Sequence, residues 1–143
     1  MDRLNSKPDS THDRILVVDD IADNYFLLQT ILEEEGYSVD IADNGRLALK
    51  KITSDPPDLI LLDVMMPEMN GFEVTRHIRQ NLALPYIPIL LITGYTEPTP
   101  GDGYDVGADG FIHKPINFDL LLNRVREILP PRPSFPPVND GDA

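Results

Sequence analysis

The stretch Leu59-Ile-Leu-Leu-Asp63 decides how this chain folds. Four consecutive large apolar residues leave no polar face, so a strand made from them must be covered on both sides. The run then stops on a carboxylate. Three other strand-like runs also stop on polar residues. Arg14-Ile-Leu-Val-Val18 is followed by Asp19 and Asp20, Ile87-Pro-Ile-Leu-Leu-Ile92 by Thr93, and Gly110-Phe-Ile-His113 by Lys114. If these runs are parallel strands, all five polar side chains emerge at one edge of one sheet. Three carboxylates, a hydroxyl and an ammonium gathered there suit a divalent cation and a phosphoryl group.

Helical patterns separate the runs. Residues 22–35 place Leu27, Leu28, Ile31 and Leu32 at helical spacing, and Gly36 supplies a stop. Residues 37–42 alternate like a shorter strand. Residues 44–53 read as a helix broken by Pro56 and Pro57, and residues 70–80 as a helix with Phe72, Val74 and Ile78 as its apolar positions. Asn117 is placed to cap a last helix through Leu129, with Leu121, Leu122, Val125 and Ile128 facing inward. This is a (βα)5 pattern. It predicts an α/β fold with a doubly wound, five-stranded parallel sheet and helices on both faces. Ligands in such sheets sit at the carboxyl ends of the strands, near a switch in strand order.

One segment departs from the pattern. Residues 95–107 contain Pro98, Pro100, Gly101, Gly103 and Gly107. Proline inside a helix costs roughly 3 kcal/mol and glycine about 1 kcal/mol relative to alanine. The helix after the fourth strand is therefore expected to be short or irregular, with a helical turn near residues 102–106.

A chain of 143 residues fits one domain with a real core. Apolar residues make up 41%, with no uninterrupted apolar stretch long enough to cross a bilayer. The first fourteen residues are polar and lack the apolar middle of a secretory signal. The chain has no cysteine, so disulfides and thiolate metal sites are excluded. These features read as a cytoplasmic protein with no membrane partner. The net charge is −12, and all but one of those net charges fall within residues 15–129. An acidic body without a basic stripe argues against direct nucleic-acid binding. Residues 1–13 read as a flexible N-terminal tail and residues 14–129 as the folded domain. Residues 130–143, with Pro130-Pro-Arg-Pro-Ser-Phe-Pro-Pro137, read as a Pro-rich tail or linker.

The clustered residues carry a definite chemistry. Two unit charges about 4 Å apart repel by roughly 4 kcal/mol at an effective dielectric near 20. Three carboxylates together call for a counter-charge, and Mg²⁺ takes one or two of them while keeping waters or phosphate oxygens. His12, His77 and His113 are dispersed, so zinc is not expected. A carboxylate such as Asp63 can attack phosphorus and form an acyl phosphate. Lys114 and a cation would neutralise charge on the equatorial oxygens, and the Thr93 hydroxyl could donate to one of them.

The chain resembles the receiver domain of two-component response regulators, with its flavodoxin/CheY-like fold. The residues that carry the resemblance are Val17-Val-Asp-Asp20, Leu61-Leu-Asp-Val-Met-Met-Pro-Glu-Met-Asn-Gly-Phe72, Ile92-Thr93, Gly107-Ala-Asp-Gly-Phe111 and Lys114-Pro115. The resemblance implies a signalling receiver in a phosphorelay rather than a conventional enzyme. Asp63 would be the phosphoacceptor for a phosphoryl group from a sensor histidine kinase or histidine phosphotransfer protein. Asp20, Asp63 and the backbone carbonyl of Met65 would hold Mg²⁺, with Asp19 as the second acid of the pair. Thr93 and Lys114 would bind the phosphoryl oxygens, and Thr93 and Phe111 would form the switch. The Lys114–Pro115 peptide would be cis. The output would be a downstream protein target or an attached module.

Met65 and Tyr95 stand where the family borders the path of attacking water, and both are bulky, which implies slow autodephosphorylation. An alternative function is a phosphorylation-independent, receiver-like interaction module. Such domains lose an acid, the acceptor or the lysine, and this chain keeps all of them. A dehalogenase-type phosphatase would need a second acid two residues after Asp63, where Met65 stands instead.

Overall fold

The structure, a computed structural model, describes residues 13–94 and 106–130. Its strands are β1 (Arg14–Val18), β2 (Ser38–Ala42), β3 (Leu59–Asp63), β4 (Ile89–Thr93) and β5 (Gly110–His113). Its helices are α1 (Ala22–Glu34), α2 (Gly45–Ser54), α3 (Gly71–Gln80) and α4 (Phe118–Ile128). The five strands are all parallel and lie in the order β2-β1-β3-β4-β5. The expected doubly wound α/β sheet is therefore present. The helical turn expected near residues 102–106 and both tails lie outside the described residues, apart from Val106, Asp13 and Pro130.

Alternation along each strand divides the core into two layers. Leu16, Val18, Ile60, Leu62, Ile89 and Leu91 pack with Ala48, Ile52, Val74 and Ile78 of α2 and α3. Ile15, Val17, Leu59, Leu61, Leu90, Ile92 and Ile112 pack with Leu28 and Leu32 of α1 and with Leu121 and Val125 of α4. β3 and β4 are buried along their whole length, as an unbroken apolar run requires in the middle of a doubly covered sheet.

Local signals set the helix starts. The Asn44 side chain accepts from Leu47 N, and the Asn117 side chain accepts from Leu120 N. Asn70 and Glu73 form a capping box. These asparagines cap the helices rather than beginning them, so α2 and α3 start one residue later than the periodicity suggests. After α1, Gly36 has φ +97°, a conformation that turns the chain toward β2 at little cost only because glycine lacks a Cβ. β4 begins at Ile89 rather than residue 87, because Pro88 has no N–H to give the ladder; its carbonyl still accepts from Ile60 N.

Leu27 shares the helical spacing of Leu28, Ile31 and Leu32, yet it is 48% exposed, while Leu28 and Leu32 are buried and Ile31 is half-buried. Sheet contact needs only a narrow stripe of α1, and Leu27 lies outside it, beside the loop after β5.

The far end of the sheet is tied across α3, β4 and β5. Arg79 donates to the Gly107 carbonyl at 2.9 Å and pairs with Asp109 at 3.0 Å, with its guanidinium 4.5 Å from the Tyr86 ring centroid. Asp109 also accepts from Ile89 N and from the Tyr86 hydroxyl. On the other face, the Tyr37 hydroxyl donates to Leu129 O at 2.8 Å and fixes the end of α4. Among the described residues, no helix is long and apolar enough to cross a membrane.

Candidate functional site

The sheet order reverses between β1 and β3, so the crevice at their carboxyl ends is the switch point. Asp19 and Asp20 follow β1 there, and Asp63 is the last residue of β3. Backbone bonds beyond the strand ends hold the rim. Asp19 N donates to Ala42 O, Val64 N to Ile92 O and Lys114 N to Thr93 O. Five residues separated by up to 95 positions thereby meet at one edge.

The three carboxylates each offer an oxygen within 4.8 Å of the others. Asp19 is 2% exposed and Asp63 is 1% exposed, whereas Asp20 faces solvent. Lys114 Nζ lies 2.9 Å from Asp63 Oδ1. That ion pair does not give the oxygen a well-aligned hydrogen bond, and among the described residues Asp63 Oδ1 is the one buried side-chain oxygen without such a bond. Burial pushes the Asp63 carboxyl up to about 6; Lys114 pulls it down and Asp19 pushes it further up. Burial also raises Asp19, opposed by the Ile21 backbone N–H that it accepts at 2.9 Å and by Lys114.

A carboxylate oxygen left short of donors, next to two further acids, fits a hard cation. Oxygen ligands alone, with one side open to solvent at Asp20, match the preference of Mg²⁺ over zinc. The residues present thus fit the ion.

Thr93 ends β4 and is fully buried. Its register neighbour on β5 is His113, one residue before Lys114. Phe111 lies two residues earlier on β5, half-buried against the α2/α3 layer. The Lys114–Pro115 peptide is cis. Met65, in the loop after β3, has a side chain that is 53% exposed. Apart from Phe111, the described residues singled out for the site lie at the strand ends or in the loops after β3 and β5. Tyr95 lies outside the described residues.

Two contributors escaped the sequence reading. Asn24, in the first turn of α1, stands beside the Asp19 carboxyl and holds it lower. Gly71 sets the closeness of α3 to β3. A Cβ at that position would lie 2.6 Å from the Asp63 carbonyl oxygen and 2.9 Å from Val64 Cα. Its N–H instead donates to Val64 O at 3.0 Å. The signal for Gly71 was its place in the Leu61–Phe72 motif, directly after Asn70.

This architecture and site define a class, and the comparisons with known proteins agree. The chain matches the response regulator receiver domain over residues 15–126, and it belongs to that family. It is 45% identical over 118 residues to the response regulator PleD of Caulobacter vibrioides, covering 80% of this chain and 26% of PleD. The chemotaxis protein CheY4 of Vibrio cholerae superimposes with a TM-score of 0.77 at 35% identity, covering 82% of this chain and 98% of CheY4. The receiver domain of a signal transduction histidine kinase from Syntrophus aciditrophicus gives a TM-score of 0.76 at 34% identity, covering 89% and 99%. The chain thus spans about a quarter of PleD and nearly all of the solved receiver domains.

Proposed function

We propose that this chain is a phosphoacceptor in a two-component relay, with Asp63 receiving the phosphoryl group from a phosphohistidine. The supporting observation is the buried Asp63 carboxylate held 2.9 Å from Lys114 with two further acids within 4.8 Å. An Asp63 carboxylate oxygen attacks phosphorus, the P–N bond to imidazole breaks, and a P–O bond forms. The departing imidazole nitrogen keeps the electron pair of the P–N bond and takes a proton from solvent, so histidine leaves neutral. Lys114 and the Thr93 hydroxyl bind the phosphoryl oxygens and stabilise their charge. Mg²⁺, held by Asp20, Asp63 and the Met65 carbonyl with Asp19 as the second acid, supplies charge neutralisation when bound.

The donor is a sensor histidine kinase or histidine phosphotransfer protein. An apolar groove lined by Leu27, Leu28, Ile116 and Phe118 opens beside the site and shares Asp19 and Lys114 with it. That continuity suits a donor helix that must bring its imidazole to Asp63. Thr93 and Phe111 carry the resulting change outward to a target protein or an attached output module. Met65 offers no hydrogen bond to an attacking water, so the acyl phosphate is long-lived, and Met65→Asn shortens its lifetime.

Transfer of labelled phosphate from an autophosphorylated histidine kinase tests the reading. The wild type should gain a hydroxylamine-labile label and Asp63→Ala none. Equal labelling of both would refute Asp63 as the acceptor.

A further inference from the structure

The geometry points to His113 as a positioning residue that holds the ring of Phe111 in its resting place and ties that ring to the phosphoryl site. The inference rests on the function proposed above. Parallel register pairs Leu91 with Phe111 and Thr93 with His113, so Phe111 and His113 project from the same face of β5. Their rings stack, with centroids 6.4 Å apart and planes at 29°, inside the range of favourable aromatic pairs. Phe111 also rests on the buried α2/α3 layer, while His113 stands at the solvent side.

The position of His113 gives this stack a consequence. On one side its chain neighbour is Lys114, whose ammonium meets Asp63. Across the ladder it pairs with Thr93, whose carbonyl accepts from Lys114 N at 2.8 Å. The two groups that would close on a phosphoryl group therefore flank His113, one through the chain and one through the sheet. Drawing Lys114 and Thr93 toward a phosphoryl group displaces the His113 backbone and with it the ring that Phe111 leans on. The stack belongs to the resting arrangement, so occupancy of Asp63 has to part the rings. His113 thereby sets the threshold at which Phe111 is released. It touches no reacting atom.

Beryllofluoride with Mg²⁺ serves as the phosphoryl mimic, and the Phe111 ring is followed by fluorine NMR of protein carrying fluorophenylalanine, its resonance assigned with Phe111→Leu. His113→Ala should bind beryllofluoride more tightly by roughly two- to tenfold, the range spanned by one aromatic pair. Its free-state Phe111 resonance should move part of the way toward the loaded position. His113→Phe keeps a ring and should restore both the wild-type affinity and the wild-type resonance. His113 is exposed, so neither change threatens the core. An affinity for His113→Ala equal to wild type, or a His113→Phe that behaves like His113→Ala, would overturn the inference while leaving the phosphoacceptor reading intact. A wild type that shows no beryllofluoride response would overturn both.

Discussion

Replacing Asp63 with asparagine keeps its shape and removes its charge, and this should make the metal-free protein more stable at neutral pH. The carboxyl ordinarily titrates at 3.8 and is pushed up to about 6 in the fold, burial being the main cause. At 1.36 kcal/mol per pH unit, that gap amounts to roughly 3 kcal/mol. The sign follows from proton binding. Below pH 3.8 the group is protonated in both folded and unfolded chains and costs nothing. Between 3.8 and about 6 the folded chain holds the proton and the unfolded chain has lost it. Above about 6 it is ionised in both, and the whole penalty is present. Wild-type stability therefore falls as pH rises through this window. Asp63→Asn loses the penalty but strands Lys114, whose ammonium lies 2.9 Å from Asp63 Oδ1, so the net gain at pH 7.5 should be about 1–3 kcal/mol. Urea unfolding in EDTA reads it as a raised midpoint at unchanged slope. At pH 4 the gain should shrink toward zero. Mg²⁺ at ten times its Kd should restore about 1.4 kcal/mol to the wild type and far less to the variant. A variant no more stable than wild type at pH 7.5, or an advantage that does not change with pH, would refute the reasoning.

Three further outcomes follow from the same geometry. Lys114→Ala removes the ammonium beside Asp63 and should weaken beryllofluoride binding by about 10- to 100-fold, measured by fluorescence or calorimetry, because a hydrogen bond to a charged group contributes roughly 1.5–3 kcal/mol. Gly71→Ala places a methyl group 2.6 Å from the Asp63 carbonyl oxygen and should cost about 1–3 kcal/mol in urea unfolding, with visible shifts of the Asp63 and Val64 amide resonances. Tyr37→Phe leaves the buried Leu129 carbonyl without its donor and should cost about 1–3 kcal/mol, with faster hydrogen exchange at the end of α4.

Much of the fold was legible in order. The unbroken apolar runs of β3 and β4 could only be doubly covered strands, and Asn117 announced the start of α4. The errors came where local chemistry outweighs periodicity. Capping asparagines shift a helix start by one residue, and Pro88 withholds a ladder donor. Leu27 fits the helical repeat but misses the narrow stripe that touches the sheet. The site was legible as a set because each polar residue directly follows an apolar run, and only a shared sheet edge makes those breaks coincide.

By itself the sequence determined the residue types, the strand ends and their order along the chain. Those features follow from side-chain period and from the cost of breaking an apolar run. Tertiary structure decided which acid is buried and which faces water, how far Lys114 stands from Asp63, and how high burial lifts the Asp63 carboxyl. It also brought His113 beside Thr93, and it required a glycine at position 71. Desolvation, cross-strand register and close backbone approach depend on residues distant in the chain, so no local pattern records them.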